Sequence, residues 1–418
     1  MTAETPPHLT FPPAMAGHLI DSTLQAWAAT AAGAADYWTS ALSRGATPID
    51  VAADGLAWWQ AMTTRSEPTW SSPNEVVLDG GFAALRDFSD GTRRQVVPTL
   101  VLPPQAGHHS CIVDYSSEQS QIDTIRAAGL ERVYSLEWIG ATRETRNASI
   151  GDYIAFVERS VEAIGGPVNL IGDCQGGWLA AIYAALHPER VNTLTLAGAP
   201  IDFHAGQGVI HEWVKLLCAT GDMSFYEGLV AQNAGVMPGA RILDGFVLIK
   251  PESEIAKQMG LLANIDDRKH RQRYREFEDW FKWTQDLPGE LYLWIVRELF
   301  RDNKLIKGEL EVDGRKVDLG TLSMPLYLLA GETDHITPPA QVFAARDAVA
   351  TPSDEVVTRT TSGGHLGLFM GREALREHWP PILAEVLAHS KKRAPSRRQT
   401  ERKARDATPG DRTTIPAP

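Results

Sequence analysis

The chain has 418 residues, of which 43% are apolar, and carries a formal net charge of -12. That size supports a buried core in one large α/β domain with room for an appended segment. The acidic balance argues against nucleic acid as a main partner, because phosphate binding needs concentrated Lys and Arg. Cys111, Cys174 and Cys218 fit no zinc spacing and are too sparse for a disulfide scaffold. The start, MTAETPPHLTFPPAM, lacks a basic stretch followed by an apolar core. No apolar run approaches the roughly 18 residues that a bilayer-spanning helix needs. The expectation is a soluble, cytoplasmic protein with reduced thiols and no transmembrane segment.

Residues 1–75 read as an N-terminal helical extension rich in Ala and Trp. Leu19, Ile20, Leu24, Trp27 and Ala28 recur at helical spacing, and DVAADGLAWWQAM carries Trp58 and Trp59. Such helices either pack on the main domain or present a face to a partner or an apolar surface. Residues 76–390 alternate short β-rich runs with helical ones. NEVVLD, AALRDFS, VVPTLVLP, SCIVDYS, RVYSLEW, PVNLIG, TLTLAGAP, PLYLLAG and EVVTRTTSG read as strands. IGDYIAFVERSVEAI and WLAAIYAALHPER read as helices between them. The alternation predicts a mostly parallel sheet with helices on both faces. From about 202 to 300 the pattern turns helical and aromatic, as in an insertion capping one end of the sheet. Residues 391–418 hold nine Lys/Arg against three Asp/Glu and almost no large apolar side chain. That composition predicts a basic, disordered tail.

The stretch LIGDCQGGWLAAIYAAL places a cysteine between a strand and a helix, with Gly172 and Gly176 two residues to either side. This is the pattern of a nucleophile elbow, with Cys174 as the nucleophile. The turn needs small neighbours, and it aims the Gln175 amide at a developing oxyanion. The start of the following helix favours a thiolate. A thiol nucleophile needs a base and an orienting acid. Asp334 follows the strand PLYLLAG and His365 sits in the Gly-rich loop TTSGGHLGLFMG. The chain order Cys174, Asp334, His365 suits this arrangement, and His335 is the nearest rival base. Cys111 and Cys218 read as core residues. Asp173, directly before the nucleophile, has no account at this level.

These motifs resemble the polyhydroxyalkanoate synthases, which are α/β-hydrolase-fold acyltransferases that use Cys as nucleophile. The likeness lies in LIGDCQGGWLAAIYAALHPERVNTLTLAGAPIDF, in WTQDLPGELYLWIVRELFRDNKLIKGELEVDGRKVDLGTLSMP, in GETDHITPP and in SGGHLGLFMG. It covers roughly residues 95–387. The resemblance implies an α/β-hydrolase domain with Cys174 carrying the acyl group, His365 as general base and Asp334 as its partner. It implies a second oxyanion amide near Gly107 and a 3-hydroxyacyl-coenzyme A substrate. It implies no bound cofactor, coenzyme A entering only as part of the substrate. Its implied partners are the growing polyester or a granule surface, and a homodimer or a helical partner subunit. The loop QAGHHSCIVDYS with Asp114, the loop RVYSLEWIGATRE and Asp173 depart from the family's pattern. They keep open a Cys-triad hydrolase, either a thioesterase or a polyester depolymerase. A granule-associated scaffold is a third reading, against which the intact triad order speaks.

Overall fold

The computed structural model describes residues 13–89, 96–218 and 221–393, with side chains from 21 to 391 within those spans. Two helices come first, α1 (Pro13–Ser43) and α2 (Pro48–Thr63). Thr47 starts α2 with a capping box, its hydroxyl accepting from Asp50 N while the Asp50 carboxylate accepts from Thr47 N.

The sheet among the described residues has eight strands: β1 (Glu75–Asp79), β2 (Ala83–Asp87), β3 (Thr99–Leu102), β4 (Val133–Trp138), β5 (Val168–Asp173), β6 (Val191–Ala197), β7 (Leu326–Gly331) and β8 (Val356–Thr361). Their order is β1-β2-β4-β3-β5-β6-β7-β8. β1–β2 and β2–β4 are antiparallel, and every later pairing is parallel. This is the α/β-hydrolase fold. β3, β5 and β6 are buried along their whole length, as strands covered on both faces are, even where polar Asn169, Asn192, Thr193 and Thr195 interrupt the apolar residues.

α3 (Ile150–Ile164) and α4 (Gln175–Leu186) cover one face of the sheet and share its core. α3 opens on a Ser149–Asp152 capping box and closes on Gly165 at a φ of 92°. The last helix, α8 (Trp379–Arg393), buries Trp379, Ile382, Leu383 and Val386 against the opposite face. Lys391–Arg393 extend this helix; the rest of the predicted basic tail lies outside the described residues.

Between β6 and β7 the chain forms a helical cap, which includes α5 (Gly239–Ile249), α6 (Pro251–Ala263) and α7 (Arg268–Lys282). The N-terminal helices pack on this cap rather than on the sheet. Tyr37, Ala41 and Ala61 share a buried cluster with Leu261, Ile265 and Tyr274. Trp58 Nε1 donates to Gln258 O at 2.9 Å. Arg65 reaches the buried Glu278 of α7 at 3.2 Å.

One predicted strand is not there. Ser110–Val113 forms a 3-10 turn, and extended structure begins only at Asp114. The His109 ring caps the turn by accepting from Cys111 N at 3.1 Å. Burial, not pairing, makes Cys111, Ile112 and Val113 look strand-like in sequence.

Candidate active site

β5 ends at Asp173 and α4 begins at Gln175, which leaves Cys174 alone in the turn. Its φ of 51° and ψ of -115° are costly for a residue with a β-carbon, on the order of 1–3 kcal/mol, and the surroundings must enforce them. They do so by close backbone approach. A β-carbon on Gly172 would lie 2.5 Å from Gly177 Cα, and one on Gly176 would lie 1.9 Å from Leu102 O. Cys174 N donates to Ala197 O at 2.8 Å, tying the elbow to β6.

Asp334 follows β7 and His365 follows β8, and both are buried. His365 Nδ1 lies 2.7 Å from Asp334 Oδ2. Asp334 Oδ1 accepts from Ile336 N at 2.9 Å and Thr337 N at 2.8 Å, so the carboxylate is held from both sides. His365 Nε2 is buried with no hydrogen bond at ordinary distance, and Cys174 lies close enough to act on the ring. Burial pulls the His365 pKa down, but Asp334 and Cys174 outweigh it and hold the ring well above its usual value. Of the two histidines considered from sequence, it is His365 that bonds Asp334. His335 lines the cavity instead.

Cys174 and His365 open on a cavity of about 290 Å³. Phe246, Phe277, Trp280, Phe281, Ile336 and Phe369 are among the residues that line it. The sequence run FEDWF on α7 places Phe277, Trp280 and Phe281 on one helical face, the i, i+3, i+4 spacing that aims them inward. Lys257 of α6 lies 4.9 Å above the Phe281 ring and 5.2 Å from Phe277, and it pairs with Glu254 at 2.6 Å and with Glu278. This cation is a part of the wall that sequence reading missed, since its partners come from two helices.

The loop after β3 supplies the other wall. His108 stacks on Trp280 at 5.0 Å and on Phe281 at 5.4 Å, with Nδ1 3.0 Å from Ala106 O. Burial pushes its pKa down to about 4, so the ring is neutral at pH 7. His109 accepts from Cys111 N through Nδ1, so Nε2 carries the proton and donates to Glu137 at 3.2 Å. Glu137 also binds Arg86 at 2.6 Å; burial opposes its charge, but His109 and Arg86 bring its pKa down to about 2. Ala106 and His108 line the cavity; Gly107 between them, at a φ of 82°, gives its carbonyl to Gln285 N at 2.8 Å and is not part of the wall. Gln175 occupies the first position of α4, next to Cys174. Asp114 is buried away from the cavity and accepts from Ser72 N, Ser72 Oγ and Ser120 Oγ at 2.6–2.9 Å, which makes it a structural anchor for the segment before β1.

Asp173 now has an account. It is fully buried, and Oδ1 accepts from Gln121 Nε2 at 3.3 Å. Asp173 Oδ2 and Gln121 Oε1 are both buried without a partner. A protonated carboxyl would offer a donor that an ionised one lacks. Burial drives the carboxyl up to about 8, against the opposing pull of the Gln121 hydrogen bond and His365. Gln121 lies 52 residues upstream, so no local pattern could have named it.

A family model described as "Protein of unknown function (DUF3141)" matches residues 84–386. The poly(3-hydroxyalkanoate) polymerase subunit PhaC of Haloferax mediterranei is 28% identical over 331 residues, 77% of this chain and 65% of that protein. The subunit of the same name from Haloarcula marismortui is 31% identical over 279 residues, 65% of this chain and 57% of that protein. The chain thus spans less than two thirds of the length of either relative. Among solved structures, a carboxylesterase of the thaumarchaeon Nitrososphaera gargenis is 16% identical with a TM-score of 0.46, covering 77% of this chain and 100% of that one.

Proposed function

The chain belongs to this DUF3141 family and is a polyhydroxyalkanoate synthase-like protein of the α/β-hydrolase superfamily, and from that premise we propose a cysteine-nucleophile acyltransferase. It moves 3-hydroxyacyl groups from coenzyme A to a hydroxyl acceptor and so builds polyester. The observation that carries this reading is the placement of Cys174, with the His365–Asp334 pair, on an apolar, aromatic-walled cavity.

His365 Nε2 takes the Cys174 proton, and Asp334 stabilises the imidazolium that forms. The thiolate Sγ attacks the thioester carbonyl. The Sγ–C bond forms, the bond from carbon to the coenzyme A sulfur breaks, and His365 returns the proton to the leaving thiolate. One thioester replaces another, so little bond energy changes. In the second half His365 takes the proton of a hydroxyl, the new C–O bond forms, and the Cys174 sulfur leaves and is reprotonated. Both tetrahedral oxyanions need fixed donors. The Gln175 amide is one; the second is an amide of the loop after β3, and the expected Gly107 lies off the cavity wall, against Gly239 and Ile242.

Water competes for the same acyl enzyme. Phe246, Phe277, Trp280 and Phe281 give the cavity an aromatic side that offers water no hydrogen bonds. An aromatic side of this kind favours transfer over hydrolysis. The test is purified protein with 3-hydroxybutyryl-coenzyme A and a longer-chain homologue, beside Cys174→Ala. Thiol release with an ester-linked oligomer, absent in the variant, is the expected result. Release with free hydroxy acid alone would make the protein a hydrolase.

A further inference from the structure

We infer that the cavity measures the length of the acyl group, taking one of about 8–12 carbons in preference to one of about four. The inference rests on the reading of Cys174 as the acyl-carrying nucleophile. It holds whether the acyl group then passes to a hydroxyl or to water.

Volume sets the upper figure. A dry apolar cavity of about 150 Å³ holds one benzene ring, about six carbons. The cavity beside Cys174 has about 290 Å³, room for on the order of 12. A four-carbon group would leave roughly two thirds of that space to water or to void. Water there finds no hydrogen bond on the side made by Phe246, Phe277, Trp280 and Phe281, and a void forfeits contact with their rings. A longer chain fills the same space and covers those rings.

Rigidity turns the volume into a measure. Trp280 Nε1 donates to His109 O at 2.8 Å, and the Phe277 and Phe281 rings stack at 5.4 Å, so the aromatic side is fixed before any ligand arrives. Cys174 and His365 bound the cavity from the sheet, and α6 bounds it from the cap. α6 puts polar groups there: Ser253, Glu254 and Lys257. An alkyl end that reaches them displaces their water without replacing its hydrogen bonds, which opposes further length. Lys257 cannot readily swing aside. It lies 5.2 Å from the Phe277 ring and 4.9 Å from that of Phe281, held by Glu254 at 2.6 Å and by Glu278. Glu278 is buried, so moving Lys257 strips a buried carboxylate of one of its two cations.

The test is alkylation of Cys174 in the full chain by N-alkyl iodoacetamides from ethyl to hexadecyl, with peptide mass spectrometry locating the label. The Cys174 thiolate forms the S–C bond and iodide leaves, so chain binding is read without coenzyme A and apart from acyl transfer. The probe's methylene, carbonyl carbon and nitrogen precede the alkyl chain, so the second-order rate constant is expected to peak near octyl. Each buried methylene contributes roughly two- to fourfold, and the rise from ethyl to octyl should be at least about tenfold, with a fall beyond dodecyl. Phe246→Ala takes a ring from the wall and is expected to move the peak up by about two to four carbons. Val247→Trp, at the next cavity-lining position, should move it down by as much. Opposite shifts separate length measurement from a general loss of structure. A rate that is independent of length, fastest with ethyl or still rising at hexadecyl overturns the selection and leaves the nucleophile standing. So does a peak that both variants leave in place. Cys174 unreactive toward every probe overturns the acyl-enzyme reading and the selection with it.

Discussion

Asp173→Asn probes the least ordinary group in the site. The carboxyl ionises near pH 8 in the folded protein and near its ordinary 3.8 when unfolded. Between those values the folded state holds a proton that the unfolded state has lost. Raising the pH from 4 to 8 therefore destabilises the fold, and above pH 8 the effect levels off. One pKa unit corresponds to about 1.4 kcal/mol, so between pH 4.5 and 7.5 the wild type loses on the order of 4 kcal/mol through this group alone. Asparagine keeps the shape and stays neutral, and its amide can donate to the unpartnered Gln121 oxygen. The stability difference between variant and wild type should thus grow in favour of the variant by about that amount across the range. Urea denaturation at constant ionic strength, followed by near-UV circular dichroism at each pH, measures it. The change with pH is the informative quantity, because constant packing differences cancel. A difference that stays level within about 1 kcal/mol would refute the reasoning, since Asp173 would then be ionised and paired by something other than Gln121.

Three further outcomes are expected. Asp334→Asn removes the charge that holds His365 high, so the ring should titrate at lower pH by nuclear magnetic resonance, and kcat/KM for acyl transfer should fall roughly 10³–10⁴-fold. Gly176→Ala drives a β-carbon into Leu102 O at 1.9 Å, backbone that cannot give way, and should yield insoluble protein or a loss of stability above about 3 kcal/mol in thermal melts. Glu278→Gln leaves the partly exposed Lys257 and Arg65 without their shared buried carboxylate and should cost about 1–3 kcal/mol by denaturation, with greater protease sensitivity in α6 and α7 than in the sheet.

The elbow was legible in sequence because its physics is local. Two glycines at fixed spacing, a preceding apolar strand and a following helix lie within 17 residues from Leu170 to Leu186. Asp334 and His365 were legible because each follows a strand that ends at the same edge of the sheet. Residues whose partners are remote were not. Asp173 waits for Gln121, and Glu278 waits for Arg65, 213 residues away. The SCIVDYS run failed for another reason. An apolar pattern reports burial, and a 3-10 turn packed under the cavity is buried as deeply as a strand.

The same distinction explains why the N-terminal helices could be found but not oriented. Helical spacing identifies α1, yet apolar residues on both sides of it leave open which side meets the protein. Gly33 decides that, because only its side lets α6 approach to the distance seen at Met259. Contact with α6 then has a consequence for the cavity. α6 carries Ser253, Glu254 and Lys257 on the cavity wall, and Arg65, just beyond α2, shares Glu278 with Lys257. The extension is thus fastened to a wall of the cavity on which Cys174 and His365 open, not to the sheet that holds Cys174. If the proposed acyl transfer holds, loosening the extension should change KM before it changes the rate of a single acylation of Cys174.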